Sequence, residues 1–173
     1  MRNKFNLEIE LYKGNILNID CDAVVNAANE HLLAGGGVCG AIFAAAGLDE
    51  LQNACNKIGY CPTGSAVITA GFKLKQKYII HAVGPIYNGD RSSVYLKQVY
   101  LSVLKLADQY KLNSIAIPSI STGIYGYPKK EAAGIAIDVI DEYKPKYLKN
   151  IYLACYDDET YNIYKNLMEK GRI

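Results

Sequence analysis

Two glycine-rich loops carry the residues with the clearest chemical potential in this sequence. The first loop runs from Asn26 to Gly40 and places three consecutive glycines, residues 35–37, directly before an alanine-rich segment that predicts a helix. Glycine lets backbone N–H groups approach a ligand without hindrance from a Cβ atom, and the start of a helix adds a partial positive charge. Together these features predict an anion site suited to a phosphate group.

The second loop, residues 118–128, contains serines, a threonine and glycines, and it also leads from a predicted strand into a predicted helix. Its hydroxyl and N–H groups suit a second phosphate, and Tyr125 is placed to lie against a sugar. The sequence contains no Gly-Lys-Ser/Thr triplet, which excludes a Walker-type triphosphate site. Two phosphate cradles without a lysine clamp are typical of a diphosphate flanked by sugars.

A dinucleotide fingerprint is the main competing interpretation of the first loop, because Gly35-x-Gly37-x-x-Gly40 matches its spacing. In that motif the first glycine follows the strand almost at once, whereas here about eight residues intervene. An acidic residue is also missing from a second strand near the expected offset. The pattern therefore does not favour a nicotinamide dinucleotide.

The elements that must position these loops alternate between short apolar runs and longer helical periods. Strands are predicted over Phe5–Leu11, Asp22–Val25, Ala66–Thr69, Tyr78–Val83, Ser114–Ile117 and Ile151–Tyr156. Helices are predicted over Val38–Ala46, Asp49–Lys57, Ser92–Tyr110 with Ser92 or Ser93 as cap, from Pro128 onward, and after a cap at Asp157 or Asp158. This alternation predicts a three-layer α/β/α sandwich with a mixed, mostly parallel sheet of about six strands. Ligands in such sheets bind outside the carboxyl ends of the strands, where both loops begin.

Size and composition limit the classes of function. The 173 residues, 1–173, are expected to form a single domain, and a net charge of +2 does not indicate binding to nucleic acid. No signal peptide is evident and no apolar run approaches the roughly 18 residues of a membrane span, so we expect a cytoplasmic protein without a membrane partner. Five cysteines without a Cys-x-x-Cys pair, and only His31 and His81, argue against structural zinc. We expect reduced thiols, no metal and no cofactor.

Each of these residues also has an ordinary structural interpretation. A glycine-rich turn before a helix is often only a chain reversal, and Asn26 and Asn29 can satisfy their own backbone as turn residues. Tyr125 and Tyr156 are two of 15 tyrosines, any of which can be a core or rim aromatic. His81 lies inside an apolar strand, and we expect a hydrogen-bonded structural residue there. Two such loops at one sheet edge nevertheless favour a binding function.

The sequence resembles the macrodomain family, in particular its branch of mono-ADP-ribosyl hydrolases and O-acetyl-ADP-ribose deacetylases. The resembling stretches follow the family's order and cover most of the chain: Gly14-Asn15-Ile16, Asp22 to Asn29, Gly35 to Val38, Cys61 to Gly64, Ile80 to Pro85, and Ile120 to Pro128. The resemblance implies the macrodomain fold and a partner that is ADP-ribose or an ADP-ribosylated protein.

The resemblance also implies a role for each matching residue. Asn15, where the family usually has an aspartate, would accept a hydrogen bond from the adenine amino group. Ile16 would pack on the base, Tyr156 would stack on it, and Asn29 would touch the distal ribose. The other residues implied to contact the ligand, mainly around the diphosphate and distal ribose, are Asn26, Gly36, Gly37, Val38, Ser121, Thr122, Gly123, Ile124 and Tyr125.

Two positions depart from the hydrolase members of the family. Cys39 stands where they carry an aspartate thought to orient or activate the attacking water, and Phe43 stands where they carry a histidine. Phe43 can neither accept nor relay a proton, whereas Cys39 could accept one as a thiolate, a state favoured if the glycine-rich helix start lowers its pKa. A positioned general base contributes ~10²–10⁴ in rate, so turnover can survive its loss.

The sequence leaves two functions open. One is a hydrolase in which Asn29 positions the distal ribose, a water attacks beside it, and Cys39 is at most a weak participant. The other is a non-catalytic reader of ADP-ribose, because Cys39 and Phe43 replace the family's aspartate and histidine. Binding of RNA ends or poly(A) through the same adenine pocket is less favoured, because the net charge is slight.

Overall fold

Six strands form one sheet in the computed structural model, which describes residues 1–170. In chain order they are β1 (Glu8–Lys13), β2 (Ala23–Ala27), β3 (Ala66–Ala70), β4 (Tyr78–Ala82), β5 (Ser114–Pro118) and β6 (Asn150–Cys155). The order across the sheet is β1-β6-β5-β2-β4-β3, and only the pairing of β3 with β4 is antiparallel. The mixed, mostly parallel sheet predicted from the sequence is confirmed.

Helices cover both faces of this sheet. In the described part of the chain they are α1 (Gly37–Ala46), α2 (Leu48–Ile58), α3 (Arg91–Gln109), α4 (Lys129–Glu142) and α5 (Asp158–Glu169), with a short 3₁₀ helix at Ile16–Asn18. Across residues 1–170, no helix is both long and apolar enough to span a lipid bilayer.

The two faces of the sheet bury separate apolar clusters. Ile42 and Phe43 of α1 pack into one cluster, and Leu104 of α3 packs into the other. The central strand β5 contributes to both, because its Ile115 joins the second cluster while its neighbour Ala116 joins the first. Side chains alternate between the faces of a strand, so a strand buried on both faces reads as a continuous apolar run. This burial confirms the predicted three-layer architecture.

The first strand begins later than predicted, at Glu8 rather than Phe5. Asn3 causes the difference, because its side-chain oxygen accepts hydrogen bonds from the backbone N–H groups of Phe5 and Leu7, both at 2.9 Å. Asn6 has a φ of +71°, a left-handed conformation that strands do not contain. A turn therefore occupies the start of the predicted strand.

The predicted caps of two helices also need correction. Ser92 and Ser93 lie inside α3, whose N-cap is Asp90, and the Ser92 hydroxyl instead accepts a hydrogen bond from the backbone N–H of Asn88 at 2.6 Å. Pro128 is the N-cap of α4 rather than its first helical residue. The predicted cap at Asp157 is confirmed, since its carboxylate accepts from Thr160 N at 2.8 Å.

Candidate functional site

A cleft of about 730 Å³ opens at the carboxyl ends of the five parallel strands. Segments that follow β1, β2, β4, β5 and β6 all contribute to its lining. The lining residues are Gly14, Asn15, Ile16, Ala27, Ala28, Asn29, Gly35, Gly36, Gly37, Val38, Cys39, Ala41, Gly84, Pro118, Ser119, Ile120, Ser121, Thr122, Gly123, Ile124, Tyr125, Ala154, Tyr156, Asp157 and Thr160. The volume lies within the range of small-molecule pockets, and the structure brings both glycine-rich loops to the same cleft.

The first loop enters α1 through residues without side-chain hindrance. Gly36 is the N-cap, and no atom lies within 4 Å of the point where a Cβ on Gly36 or Gly37 would stand. Gly37 has a φ of +57°, which glycine adopts at little cost. The first backbone N–H groups of a helix have no acceptor within it. They are therefore available at the cleft to an anionic group.

The second loop is held in a strained conformation. Ser121 has a φ of +67°, which is uncommon outside glycine, and its carbonyl oxygen accepts from Tyr127 N at 2.9 Å. Gly84, which follows β4, permits this arrangement, because a Cβ there would lie 2.2 Å from Ser121 Oγ. Ile124 at the tip of the loop is 98% exposed. The close contact with Gly84 therefore fixes where the second loop meets the cleft.

Asn29 lies on the cleft with its side chain fixed to the first loop. Its Nδ2 donates to Leu33 O at 2.8 Å and its Oδ1 accepts from Leu33 N at 3.0 Å. An amide side chain can donate two hydrogen bonds and its oxygen can accept two. Asn29 therefore keeps one donor and one acceptor position for a ligand while its orientation is set.

The opposite end of the cleft is formed by the segments after β1 and β6. Asn15 caps the 3₁₀ helix by accepting from Leu17 N at 3.0 Å, which leaves its oxygen a second lone pair. Tyr156 is 86% exposed and its ring stands at the rim. Asp157 and Thr160 line this end as well, although sequence reasoning assigned Asp157 only a capping role. The position of Asp157 just after β6, like that of Tyr156, could have indicated its place at the cleft, whereas Thr160 lies within the first turn of α5.

The structure does not place Asn26 on the cleft, which corrects the expectation that it contacts the ligand. Asn26 belongs to β2 and is fully buried. Its Nδ2 donates to His81 Nδ1 at 3.1 Å and lies 3.8 Å from the sulfur of Cys39. The residue precedes the end of its strand and points into the packed layer beneath the first loop.

His81 is a buried structural residue, as expected from its place in an apolar strand. Because its Nδ1 accepts from Asn26, the hydrogen-bond network assigns the proton to Nε2, which donates to Thr69 Oγ1 at 2.9 Å. Burial lowers the pKa of His81 to about 4. Its ring also meets Phe43 edge to face, with the ring centroids 6.3 Å apart.

Cys39 lies beneath the first loop, and the expectation of a lowered pKa is wrong. Burial raises the pKa of its thiol, an effect larger than the opposing hydrogen bonds from Gly35 and Asn26. The S–H group points to Leu33 O at 3.8 Å. The apolar surroundings of Cys39 disfavour its thiolate more strongly than the partial positive charge at the start of α1 favours it. The thiol therefore stays protonated despite its place at the helix start.

The residues that line the cleft therefore offer many hydrogen-bond donors but few side chains that could act as a general base. Among the lining residues the one carboxylate belongs to Asp157. It already accepts a hydrogen bond from Thr160 N and forms an ion pair with Lys129 at 3.3 Å. Phe43 is buried beneath the cleft and offers no proton acceptor. Within residues 1–170, no group of three or more His, Cys, Asp or Glu side chains lies together so as to hold a metal ion. This arrangement can bind and orient an anion more readily than it can abstract a proton.

Comparison with known proteins identifies similar chains. A family model described as the macro domain matches residues 25–136. A macro domain-containing protein of Caldanaerobacter subterraneus is 46% identical over 169 residues, covering 94% of this chain and 97% of the relative. An O-acetyl-ADP-ribose deacetylase of Salmonella gallinarum is 42% identical over 168 residues, covering 92% and 93% respectively. A solved structure of an Oceanobacillus iheyensis macrodomain mutant with ADPR is 36% identical, with a TM-score of 0.90 and coverage of 98% of this chain and 97% of that chain.

Proposed function

This chain belongs to the macro domain family, and from that premise we propose that its cleft binds ADP-ribose. The observation that carries the proposal is the meeting of two glycine-rich loops at one cleft over the strand ends. A pyrophosphate between these loops would receive backbone N–H groups from both, as at other helix N-termini that bind phosphate. The similar Oceanobacillus iheyensis macrodomain, solved with ADPR, supports the same ligand.

Under this proposal each end of the cleft holds one half of the ligand. Asn15 would accept from the adenine amino group, Ile16 would pack on the base, and Tyr156 would move over its exposed face. Asn29 would bond the distal ribose through its remaining donor and acceptor. The residues proposed to surround the diphosphate are Gly36, Gly37, Val38, Ser121, Thr122, Gly123, Ile124 and Tyr125.

We further propose slow hydrolysis of mono-ADP-ribosyl protein or O-acetyl-ADP-ribose at this site. A water held near the diphosphate would attack the anomeric carbon of the distal ribose, which Asn29 positions, and break its bond to the protein side chain; with O-acetyl-ADP-ribose the water would attack the acetyl carbonyl carbon and release acetate. Cys39 would take no part as a base, because burial keeps its thiol protonated. Without a positioned base the rate is expected to be ~10²–10⁴ below that of an enzyme that has one. The similar Salmonella gallinarum deacetylase supports the chemistry.

A second candidate function is a reader that binds ADP-ribose without turnover. The raised pKa of Cys39 and the burial of Phe43 favour it, because neither side chain can activate water. In both cases we propose that residues 1–173 act as one domain. The proposed partner is ADP-ribose or an ADP-ribosylated protein rather than nucleic acid or a membrane.

Calorimetric titration with ADP-ribose followed by a hydrolysis assay tests both functions. The hydrolase predicts binding together with release of ADP-ribose from a mono-ADP-ribosylated carboxylate target above the background rate over hours. The reader predicts binding without release, and it predicts that Cys39→Asp combined with Phe43→His creates activity. Absence of measurable ADP-ribose binding by the wild-type protein would refute both candidates.

A further inference from the structure

The strand β3 is an edge of the sheet with free main-chain hydrogen-bonding groups. At the start of its antiparallel pairing with β4, Val83 N donates to Ser65 O at 3.0 Å. Residues that bond the neighbouring strand alternate with residues that do not, so the main-chain groups of residues 66, 68 and 70 face away from β4. Within residues 1–170 these outward groups have no backbone partner, and only the carbonyl oxygen of Ala70 has a side-chain partner, Thr69 Oγ1 at 3.1 Å.

The opposite edge of the sheet is protected against the addition of another strand, whereas β3 is not. At the start of β1, Ile9 N donates to Met1 O at 2.6 Å and Ile9 O accepts from the amino terminus at 3.0 Å. The strand β1 also carries the charged residues Glu8, Glu10 and Lys13. Charged side chains and proline are common means of keeping an edge unpaired, and β3 contains neither. The edge of β3 is therefore suited to accept another strand.

This open edge starts beside the end of the cleft that is proposed to hold the distal ribose. Thr63, just before β3, donates its backbone N–H and its hydroxyl to Glu30 Oε1, at 3.1 and 2.9 Å. Glu30 directly follows Asn29, which lines the cleft and is proposed to bond the distal ribose. In an ADP-ribosylated protein the distal ribose is the group attached to the target side chain. The target polypeptide therefore leaves the cleft close to the start of β3.

The sheet order gives the length and direction of the connection. Across the sheet β2 is followed by β4 and then β3, so a strand added to β3 lies three strand spacings, roughly 14 Å, from β2. An extended chain advances about 3.3 Å per residue, so about four residues span this distance. The start of β3 lies at the cleft, opposite the carboxyl end of β4. An antiparallel partner, the more stable pairing, therefore reaches the cleft at its own carboxyl end.

The helices that cover β3 exclude a second copy of this domain as the added strand. The helix α2 packs against β3 on one face of the sheet, and α3 packs against β3 and β4 on the other. If two copies joined through β3, their α2 helices would lie above neighbouring strands, roughly 5 Å apart. Packed helices need about 8–10 Å. An isolated extended segment meets no such obstacle.

The side chains of β3 indicate which segment fits. Ala66 and Ile68 pack toward α3, Val67 packs toward α2, and all three stay half-buried because the edge beside them is open. A strand placed beside them meets apolar side chains on both of its faces. Apolar and β-branched residues pack best in such a position, and proline would remove a donor from the pairing.

We propose that β3 binds an extended segment of the ADP-ribosylated target protein by strand addition. The paired residues are apolar or β-branched, run antiparallel to β3 and precede the modified side chain by about four positions. The inference rests on the proposed binding of ADP-ribose and goes beyond it by naming the part of the target that the protein contacts. The protein then binds a suitable modified segment more tightly than it binds free ADP-ribose.

Calorimetry with three ligands tests this assignment. The first is a synthetic peptide in which alternating valine and threonine residues precede a four-residue glycine-serine linker and a side chain joined to ADP-ribose through an amide, which resists hydrolysis. The second is the same conjugate with prolines in place of the valines, and the third is free ADP-ribose. We expect wild type to bind the first conjugate about tenfold more tightly than the other two, which should bind alike.

Variants of β3 distinguish strand addition from other contacts. Ala66→Pro removes an outward N–H that β4 does not use, and Ile68→Lys places a charge on the edge. The control Val94→Lys adds the same charge to an exposed position of α3. We expect both β3 variants to bind free ADP-ribose as wild type does and to lose the tenfold gain for the valine conjugate, whereas Val94→Lys should keep it.

The possible failures have different meanings. Equal binding of the valine conjugate and free ADP-ribose by wild type overturns the inference, as does a gain that survives in both β3 variants or disappears in Val94→Lys. If Ala66→Pro does not fold, Ile68→Lys, which keeps the backbone N–H, supplies the comparison. Failure of wild type to bind free ADP-ribose refutes the proposed function instead.

Discussion

Replacing Gly84 with alanine is expected to displace the second loop and weaken ligand binding. The added Cβ would lie 2.2 Å from Ser121 Oγ and 2.5 Å from Ile120 Cγ2. Carbon atoms in favourable contact are ~3.5–4.0 Å apart, so the loop must move by about 1 Å to relieve both contacts. Ser121 already has a φ of +67°, which leaves it few alternative conformations.

The expected cost follows from the size of this overlap. Overpacking of a close-packed site costs about 1–3 kcal/mol, and we expect Gly84→Ala to lower the free energy of unfolding by that amount. The second loop forms one wall of the cleft, so its displacement moves the N–H groups proposed to bind the diphosphate. Loss of two such hydrogen bonds, at about 1 kcal/mol each, predicts ADP-ribose binding roughly 30-fold weaker.

Denaturant unfolding and calorimetric titration measure these two effects. Gly123→Ala is the matched stability control, because a Cβ at that position of the same loop would meet no atom within 4 Å. Its free energy of unfolding is expected to stay within about 0.5 kcal/mol of wild type. Adding Ser121→Gly to Gly84→Ala should restore part of the lost stability, since it removes the Oγ contact and relaxes the positive φ. A Gly84→Ala protein as stable and as tightly binding as wild type would refute this account of the loop.

Three further predictions concern buried or capping groups. Folded His81 has a pKa of about 4, whereas a histidine in the unfolded chain has a pKa of about 6.5, so between these values only the unfolded state binds a proton. We therefore expect the free energy of unfolding to be highest above pH 6.5 and to fall by about 3 kcal/mol as the pH is lowered to 4. Denaturant titrations from pH 7 to 4, together with NMR titration of the His81 ring, measure this change. Cys39→Ala should change the rate of any hydrolysis by less than about twofold, and a loss near 10²-fold would show that the thiol acts in the reaction. Asp157→Ala should lower the free energy of unfolding by about 1 kcal/mol, because it removes the hydrogen bond of 2.8 Å that caps α5. The change Asp158→Ala at the exposed neighbouring residue should lower it by less when both variants are unfolded in denaturant.

Local sequence patterns predicted the sheet and helices well because each element is buried in a characteristic way. The apolar runs of β4 and β5 are buried on both faces, so their sequences specify strands without reference to the rest of the chain. The predicted start of β1 was wrong because the observed start depends on Asn3. The side chain of Asn3 also donates a hydrogen bond to the distant Ile140 O at 2.8 Å. A hydrogen bond over that separation leaves no local signal.

The cleft itself was predictable, but the depth of each side chain within it was not. Both glycine-rich loops follow parallel strands, and the ends of such strands share one edge of the sheet. Asn26 was expected at this edge, yet it lies one residue before the end of β2 and faces the buried layer instead. The environment of Cys39 likewise depends on packing from several segments. Sequence spacing indicates which loop a residue belongs to, whereas its solvent exposure and pKa depend on the assembled neighbours.

The position of β6 in the sheet has a consequence for the order in which the chain matures. The strand β1 is complete at Lys13, but its neighbour β6 starts only at Asn150 and separates β1 from β5. During synthesis β1 therefore cannot pair with its neighbour in the sheet until residues 150–155 have emerged. Closing so long a loop is entropically slow, and until then β5 presents an unpaired edge. A nascent chain interrupted before residue 150 would lose the sheet pairing of two strands rather than one, together with the end of the cleft that is proposed to hold adenine.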